Sequence, residues 1–134
     1  NHTTNKKYEK TFSKIKIDKK YFNTKEIKCN KGPEFDLLSN EQQDTLTNTL
    51  FTISNDNNRV GYRLEETFEN HLTPILTSGV LPGTVQLTPS GKLIVLMRDC
   101  QVTGGYPRVF QLTEEGINTL AQKMTHDKIQ FVIQ

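Results

Sequence analysis

Disulfide chemistry is the first thing this chain lacks. Its 134 residues hold two cysteines, Cys29 and Cys100. That is too few for a disulfide framework, and it points to a reducing, cytoplasmic setting. No apolar run reaches 18 residues, so no membrane span is expected. The first residues carry no apolar stretch of the kind a secretory signal needs. The three histidines, His2, His71 and His126, have no ligand-spaced neighbours, and neither C-x-x-C nor H-E-x-x-H occurs; no metal site is expected. The nucleophile elbow G-x-S-x-G and the phosphate-binding G-x-x-x-x-G-K-[ST] are missing as well. Excess charge is scarce: the formal net charge is +2, which argues against nucleic acid as a partner.

What is present fits one globular domain long enough to bury a core. Hydrophobic residues make up 34% and charged residues 24%, with a mean hydropathy of -0.60, so the surface is polar. Lysine is uneven. Lys6, Lys7, Lys10, Lys14, Lys16, Lys19, Lys20, Lys25, Lys28 and Lys31 all fall in the first quarter. With little apolar content to pack, residues 1–25 read as a lysine-rich linker or edge segment, with one short extended piece at Phe12–Ile17. The chain begins with Asn rather than Met, and a fragment of a longer protein is expected.

Periodicity places the elements. Glu26–Asn30 reads as a strand, broken by Gly32-Pro33. Ser39-Asn-Glu-Gln42 is a capping-box pattern that opens a helix over about 40–49, with Leu46 and Leu50 on one face and Phe35, Leu37 and Leu38 beneath its start. Phe51–Ser54 and Arg59–Leu64 read as a hairpin around an Asn55–Asn58 turn, followed by an acidic loop over Glu65–His71. Thr84–Thr88 and Lys92–Met97 form a second hairpin around Pro89-Ser-Gly91. Val109–Leu112 is another strand. Thr113 caps a helix in which Ile117, Leu120, Ala121 and Met124 repeat at helical spacing, and Leu112 and Ile117 stand at the staple positions. Lys128–Ile133 alternates and should close a sheet. The sum is a mainly β domain with two short helices, a barrel or strongly curved sheet.

Chemistry concentrates in Asp99–Pro107, which follows the most apolar run, Leu93–Met97. Gly104 and Gly105 permit positive φ and close approach of a ligand to the backbone. Pro107 stiffens the exit and biases Tyr106 toward extended conformations. Asp99, Gln101, Thr103 and Tyr106 add an acceptor, an amide and two hydroxyls. A tight turn whose glycines serve only geometry explains the same residues. Cys100 lies beside Asp99, which opposes thiolate formation, and so reads as a packed strand-end cysteine. Arg59-Val-Gly-Tyr-Arg63 sets two guanidiniums around a Gly-Tyr pair. With Arg108 they could line an anionic pocket, since arginine binds carboxylates bidentately; an ordinary alternating strand, with Val60 and Tyr62 on one face and the arginines on the other, accounts for the same pattern.

Three motifs in order add a resemblance: Arg59-Val-Gly-Tyr-Arg-Leu64, Ser78-Gly-Val-Leu-Pro-Gly-Thr-Val-Gln86 and Asp99-Cys-Gln-Val-Thr-Gly-Gly-Tyr-Pro107. Together they resemble the biotin-dependent carboxyltransferase family, also called allophanate hydrolase subunit 2, which includes the C subunit of bacterial ATP-dependent 5-oxoprolinase. Gly32-Pro33-Glu-Phe35 resembles the family's opening G-P-Q-x-x-x-F. Val60, Ser78, Leu81 and Val102 depart from the pattern, where Met, Glu, Pro and Thr are usual; Val102 removes a hydroxyl from the loop.

The resemblance covers about residues 26–134 and implies a cyclophilin-like β-barrel, the C-terminal half of a two-half protein. It implies a share in the hydrolytic opening of 5-oxoproline to glutamate, with ATP used by companion subunits. Carboxyl transfer in a urea carboxylase or allophanate system, with biotin, is the alternative, and a non-catalytic regulatory binding module is another. Prolyl isomerase activity rests on fold analogy alone. Under the first reading Arg59 and Arg63 bind a carboxylate. Tyr62, Gln86, Gln101, Thr103, Gly104, Gly105 and Tyr106 complete a small-molecule cleft shared with the missing N-terminal half. No cofactor is expected on this fragment itself, and the fragment alone should be inactive.

Overall fold

A computed structural model describes residues 24–134. The linker or edge segment expected over 1–25, with its extended piece at Phe12–Ile17, lies outside the described residues except for Thr24 and Lys25. Among those described, the strands are β1 (Glu26–Lys31), β2 (Phe51–Asn57), β3 (Gly61–Thr67), β4 (Ser78–Gly79), β5 (Thr84–Leu87), β6 (Lys92–Leu96), β7 (Thr103–Gly104), β8 (Arg108–Leu112) and β9 (Lys128–Ile133). The helices are α1 (Asn40–Asn48) and α2 (Glu114–Ala121), and a 3-10 turn spans Phe35–Leu37.

Seven strands close a barrel in the order β1-β8-β5-β6-β3-β2-β9. The last strand closes it, pairing in parallel with β1 and antiparallel with β2. The short strands β4 and β7 form a separate two-stranded ribbon. This is the mainly β barrel with two short helices that the sequence predicts. No helix among the described residues is long and apolar enough to cross a membrane.

Two rows of side chains follow from the register and the period of two along each strand. Tyr62, Val95, Val85 and Phe110 stand opposite one another across β3, β6, β5 and β8, and all four are buried. Phe110 stacks 4.9 Å from Phe131 and 5.5 Å from Phe35, and Phe51 lies 5.7 Å from Phe131. These tilted ring pairs fill the interior. Arg63, Ile94, Gln86 and Arg108 oppose one another on the other face of the same strands. That outer row carries the candidate site.

Both helix starts are set by short-range chemistry. Ser39 Oγ accepts from Gln42 N at 3.1 Å, and Gln42 Oε1 accepts from Ser39 N at 2.9 Å. Thr113 Oγ1 accepts from Gly116 N at 3.0 Å, with Leu112 and Ile117 both buried in the staple positions. Four boundaries differ from expectation. Helix α2 ends at Ala121 because the Gln122 N–H turns back to Thr119 and Leu120, and Met124 is exposed instead of packed. Leu50 falls beyond α1 and Leu37 points outward, both exposed. The expected Asn55–Asn58 turn is largely strand: β2 runs to Asn57 through a register shift. The bend moves to Asn58–Val60, where Asn58 Oδ1 accepts from Val60 N and Gly61 N at 2.8 and 3.2 Å, an Asx arrangement. Glu65–Thr67, expected as loop, extends β3. There Glu66 accepts from Thr52 N at 2.5 Å and from Thr52 Oγ1 at 2.7 Å.

Candidate functional site

The outer row becomes a site because the segment after β6 folds back over it. A turn starts the return, with Cys100 N donating to Met97 O at 3.1 Å. Asp99 N donates to Arg59 O at 3.0 Å, which ties the loop to the β2–β3 bend. Strand β7 then pairs with β4 through Ser78 with Gly104 and Gly79 with Thr103. Val80 N donates to Val102 O at 3.0 Å, Ile75 N to Gly105 O at 2.9 Å, and Leu87 N to Pro107 O at 2.9 Å. The loop is therefore stitched at both ends and lies against β5.

Beneath it is a cleft of about 310 Å³. Gln86 and Ile94 line its barrel side, Arg63 and Asp56 one flank, and Gln101 and Tyr106 the loop side. A wider groove of about 650 Å³ continues past Arg63 and Tyr106 toward Ser54, Thr88 and Lys92. Lys92 Nζ is held there by the Glu65 carbonyl. The cleft thus combines one guanidinium, one carboxylate, three carboxamides (Asn58, Gln86 and Gln101) and a phenol around Val60, Ile94 and Leu96. That set suits a small polar molecule with an amide and an anionic group.

The predicted residues divide. Arg63, Gln86, Gln101 and Tyr106 meet at the cleft. Gly104 packs on Gln86: a methyl group there would overlap Gln86 Nε2. Thr103 and Gly105 belong to the covering ribbon and its anchor rather than to the cleft lining. Tyr62 does not belong with them, because the period of two turns it inward, where it is 9% exposed in the core cluster. Burial there pushes its phenol above the usual tyrosine range. Arg59 is also outside the cleft lining; it is 82% exposed and bonds Asp99 at 3.0 Å. Arg108 points to Glu34, with Nε at 3.0 Å and a terminal nitrogen at 2.9 Å, and donates to Gly79 O at 3.2 Å. The three arginines do not converge on one anionic pocket; Arg63 alone reaches the cleft, paired to Asp56 at 2.8 Å.

The glycine pair plays a different part from the one the sequence implies. Neither Gly104 nor Gly105 takes positive φ; the left-handed glycines are Gly83 (φ 93) and Gly91 (φ 84). Gly104 is extended in the ribbon, and its missing side chain is what admits Gln86. A phosphate-cradling nest needs alternating hand along the backbone, which this pair does not provide. Burial pushes the Cys100 thiol up, and Asp99 beside it adds to the shift, which disfavours the thiolate form. Cys29, buried against Val132 O, is pushed up to about 12, chiefly by burial. No grouping of His, Cys, Asp or Glu among the described residues could hold a metal.

Sequence reasoning missed Asp56 and Ile94. Asp56 reads as a turn residue, and Ile94 as part of an apolar run buried on both faces. Only the register, Arg63 opposite Ile94 opposite Gln86, shows that Ile94 faces outward.

Comparison with known proteins adds an independent line. The family model described as "Carboxyltransferase domain, subdomain A and B" matches residues 1–133. The C subunit of 5-oxoprolinase from Escherichia coli K12 is 38% identical over 108 residues, which are 79% of this chain and 35% of that protein. Its counterpart in Haemophilus influenzae is 30% identical over 107 residues, 78% of this chain and 35% of that protein. The chain thus spans about a third of the length of these relatives. The crystal structure of the Kluyveromyces lactis urea carboxylase superposes with a TM-score of 0.73 at 20% identity, covering 81% of this chain and 11% of that one; the likeness is one of fold.

Proposed function

Because the chain belongs to the carboxyltransferase-domain family of subdomains A and B, we propose that it is part of a subunit of an ATP-dependent 5-oxoprolinase complex. Such a complex opens 5-oxoproline to glutamate by hydrolysis. The observation that carries this reading is the convergence of Arg63, Gln86, Gln101 and Tyr106, from three separate segments, on one cleft of the outer barrel face.

5-Oxoproline is a five-membered lactam bearing a carboxylate. Arg63 would draw in the carboxylate, with Asp56 holding the guanidinium in place. Gln86, Gln101 and Tyr106 would hydrogen-bond the lactam, fixing its carbonyl for attack. The cleft is open on one side, so the remaining two thirds of the longer protein would supply its other wall, and the isolated chain would not turn over. ATP would be handled by companion subunits, in the cytoplasm.

The decisive assay is ATP-dependent release of glutamate from 5-oxoproline by the full-length protein reconstituted with its companions. Turnover is the expected result. The family model's own description favours a second reading, a carboxyl-transfer component that takes a carboxyl group from biotin. Carboxylation of urea without lactam opening would replace the first reading with this one. Capture of a companion subunit with neither activity would favour a binding module.

A further inference from the structure

Gln86 is 3% exposed and lines the cleft, and its carboxamide makes no hydrogen bond to protein among the described residues. Among those residues the buried side-chain polar atoms without a partner are Glu34 Oε2 and Gln122 Oε1, not those of Gln86, so the Gln86 amide still opens to the cleft, where a ligand can meet it. Here the surroundings hold the group rather than pair it. Its neighbours across the sheet are Ile94 and Arg108, and Arg108 is turned away to Glu34 and Gly79. Gly104 covers its Nε2 end, and Gly104 is fixed by pairing with Ser78.

We propose that Gln86 is the specificity determinant of this cleft and reads one edge of a cis amide, a lactam or cyclic ureide, through two hydrogen bonds. A primary carboxamide presents a carbonyl and an N–H side by side on one edge. An acyclic secondary amide is trans and points its own N–H and carbonyl in opposite directions, so it can meet only one of them. A lactam ring enforces cis geometry and offers both together. A leucine of similar size at position 86 could make neither bond. The inference deepens the proposed function and rests on it only for the choice of 5-oxoproline as the lactam.

Calorimetric titration of the full-length protein tests this with three probes. They are 5-oxoproline, the cyclic ureide 2-imidazolidinone, and N-acetylalanine, an acyclic amide with a carboxylate. Wild type should bind 5-oxoproline at least tenfold more tightly than N-acetylalanine. Gln86→Leu should weaken 5-oxoproline binding at least tenfold and N-acetylalanine binding by a clearly smaller factor, since the acyclic amide has one bond to lose and the lactam two. A residue with only a structural role would not give that combination. If Gln86→Leu fails to fold, Gly104→Ala carries the test, because its methyl displaces the Gln86 carboxamide without altering its chemistry; it should show the same loss. Equal 5-oxoproline affinity in wild type and the variant tested, no preference for the cyclic amide, or no binding of either cyclic probe would overturn the inference. Gln86-dependent binding of 2-imidazolidinone without binding of 5-oxoproline would uphold it and remove the oxoprolinase reading instead.

Discussion

A methyl group on residue 91 would meet Phe68 O at 2.5 Å, in a backbone already at φ +84. Gly91→Ala therefore strains the turn between β5 and β6 and presses on main chain that cannot yield. It should cost about 1–3 kcal/mol, read by chemical denaturation. Gly104 contrasts with it. Its backbone is unstrained, and the atom in the way is the end of a flexible side chain, so Gly104→Ala should spare stability and act on the cleft. The two glycines look alike in sequence. What separates them, one φ angle and one neighbour brought close by the fold, is not written locally.

At the scale of elements, local signals are the legible ones. The Ser39–Gln42 box and the Thr113 cap form where the sequence pattern places them, because each bond spans three residues and needs no tertiary information. Ser39→Ala should cost about 1 kcal/mol, measurable as a drop in melting temperature. Strand ends are less legible. Strand β3 runs on to Thr67 because Glu66 finds Thr52 on the neighbouring strand, a contact 14 residues away in sequence. Burial raises the Glu66 carboxyl, but the Thr52 hydrogen bonds and the nearby Lys128 outweigh it, and the net shift is downward. A depressed folded value means stability fully present above the ordinary carboxylate range and lost as pH falls through it. Thermal melts should thus fall below about pH 4.3, with a shallower fall in Glu66→Gln. An identical acid limb in both proteins would show that the Thr52–Glu66 pairing carries no linkage.

At the scale of the molecule, a closed barrel puts its hydrophobic rows inside and leaves one outer face to be covered by a ribbon. The barrel is legible from alternation and strand count. The cleft is legible in part: Arg63, Gln86, Gln101 and Tyr106 stand in the recognised motifs, and the structure brings them together. Arg59 and Tyr62 cannot be sorted from Arg63 without register. Adjacent residues of a strand point to opposite faces, and the bend at Asn58–Val60 decides which residue faces where. On the proposed function, this outer face handles the substrate and the barrel interior does not. Steady-state ATP-dependent 5-oxoproline hydrolysis by the full-length protein with its companions tests that assignment, comparing Arg63→Ala with Arg98→Ala. Arg98 bonds Glu114 at 2.8 Å and Asn118 at 2.9 Å, outside the cleft. The expected result is a kcat/KM that falls at least tenfold in Arg63→Ala and stays within twofold of wild type in Arg98→Ala. Equal activity in the two variants would contradict it.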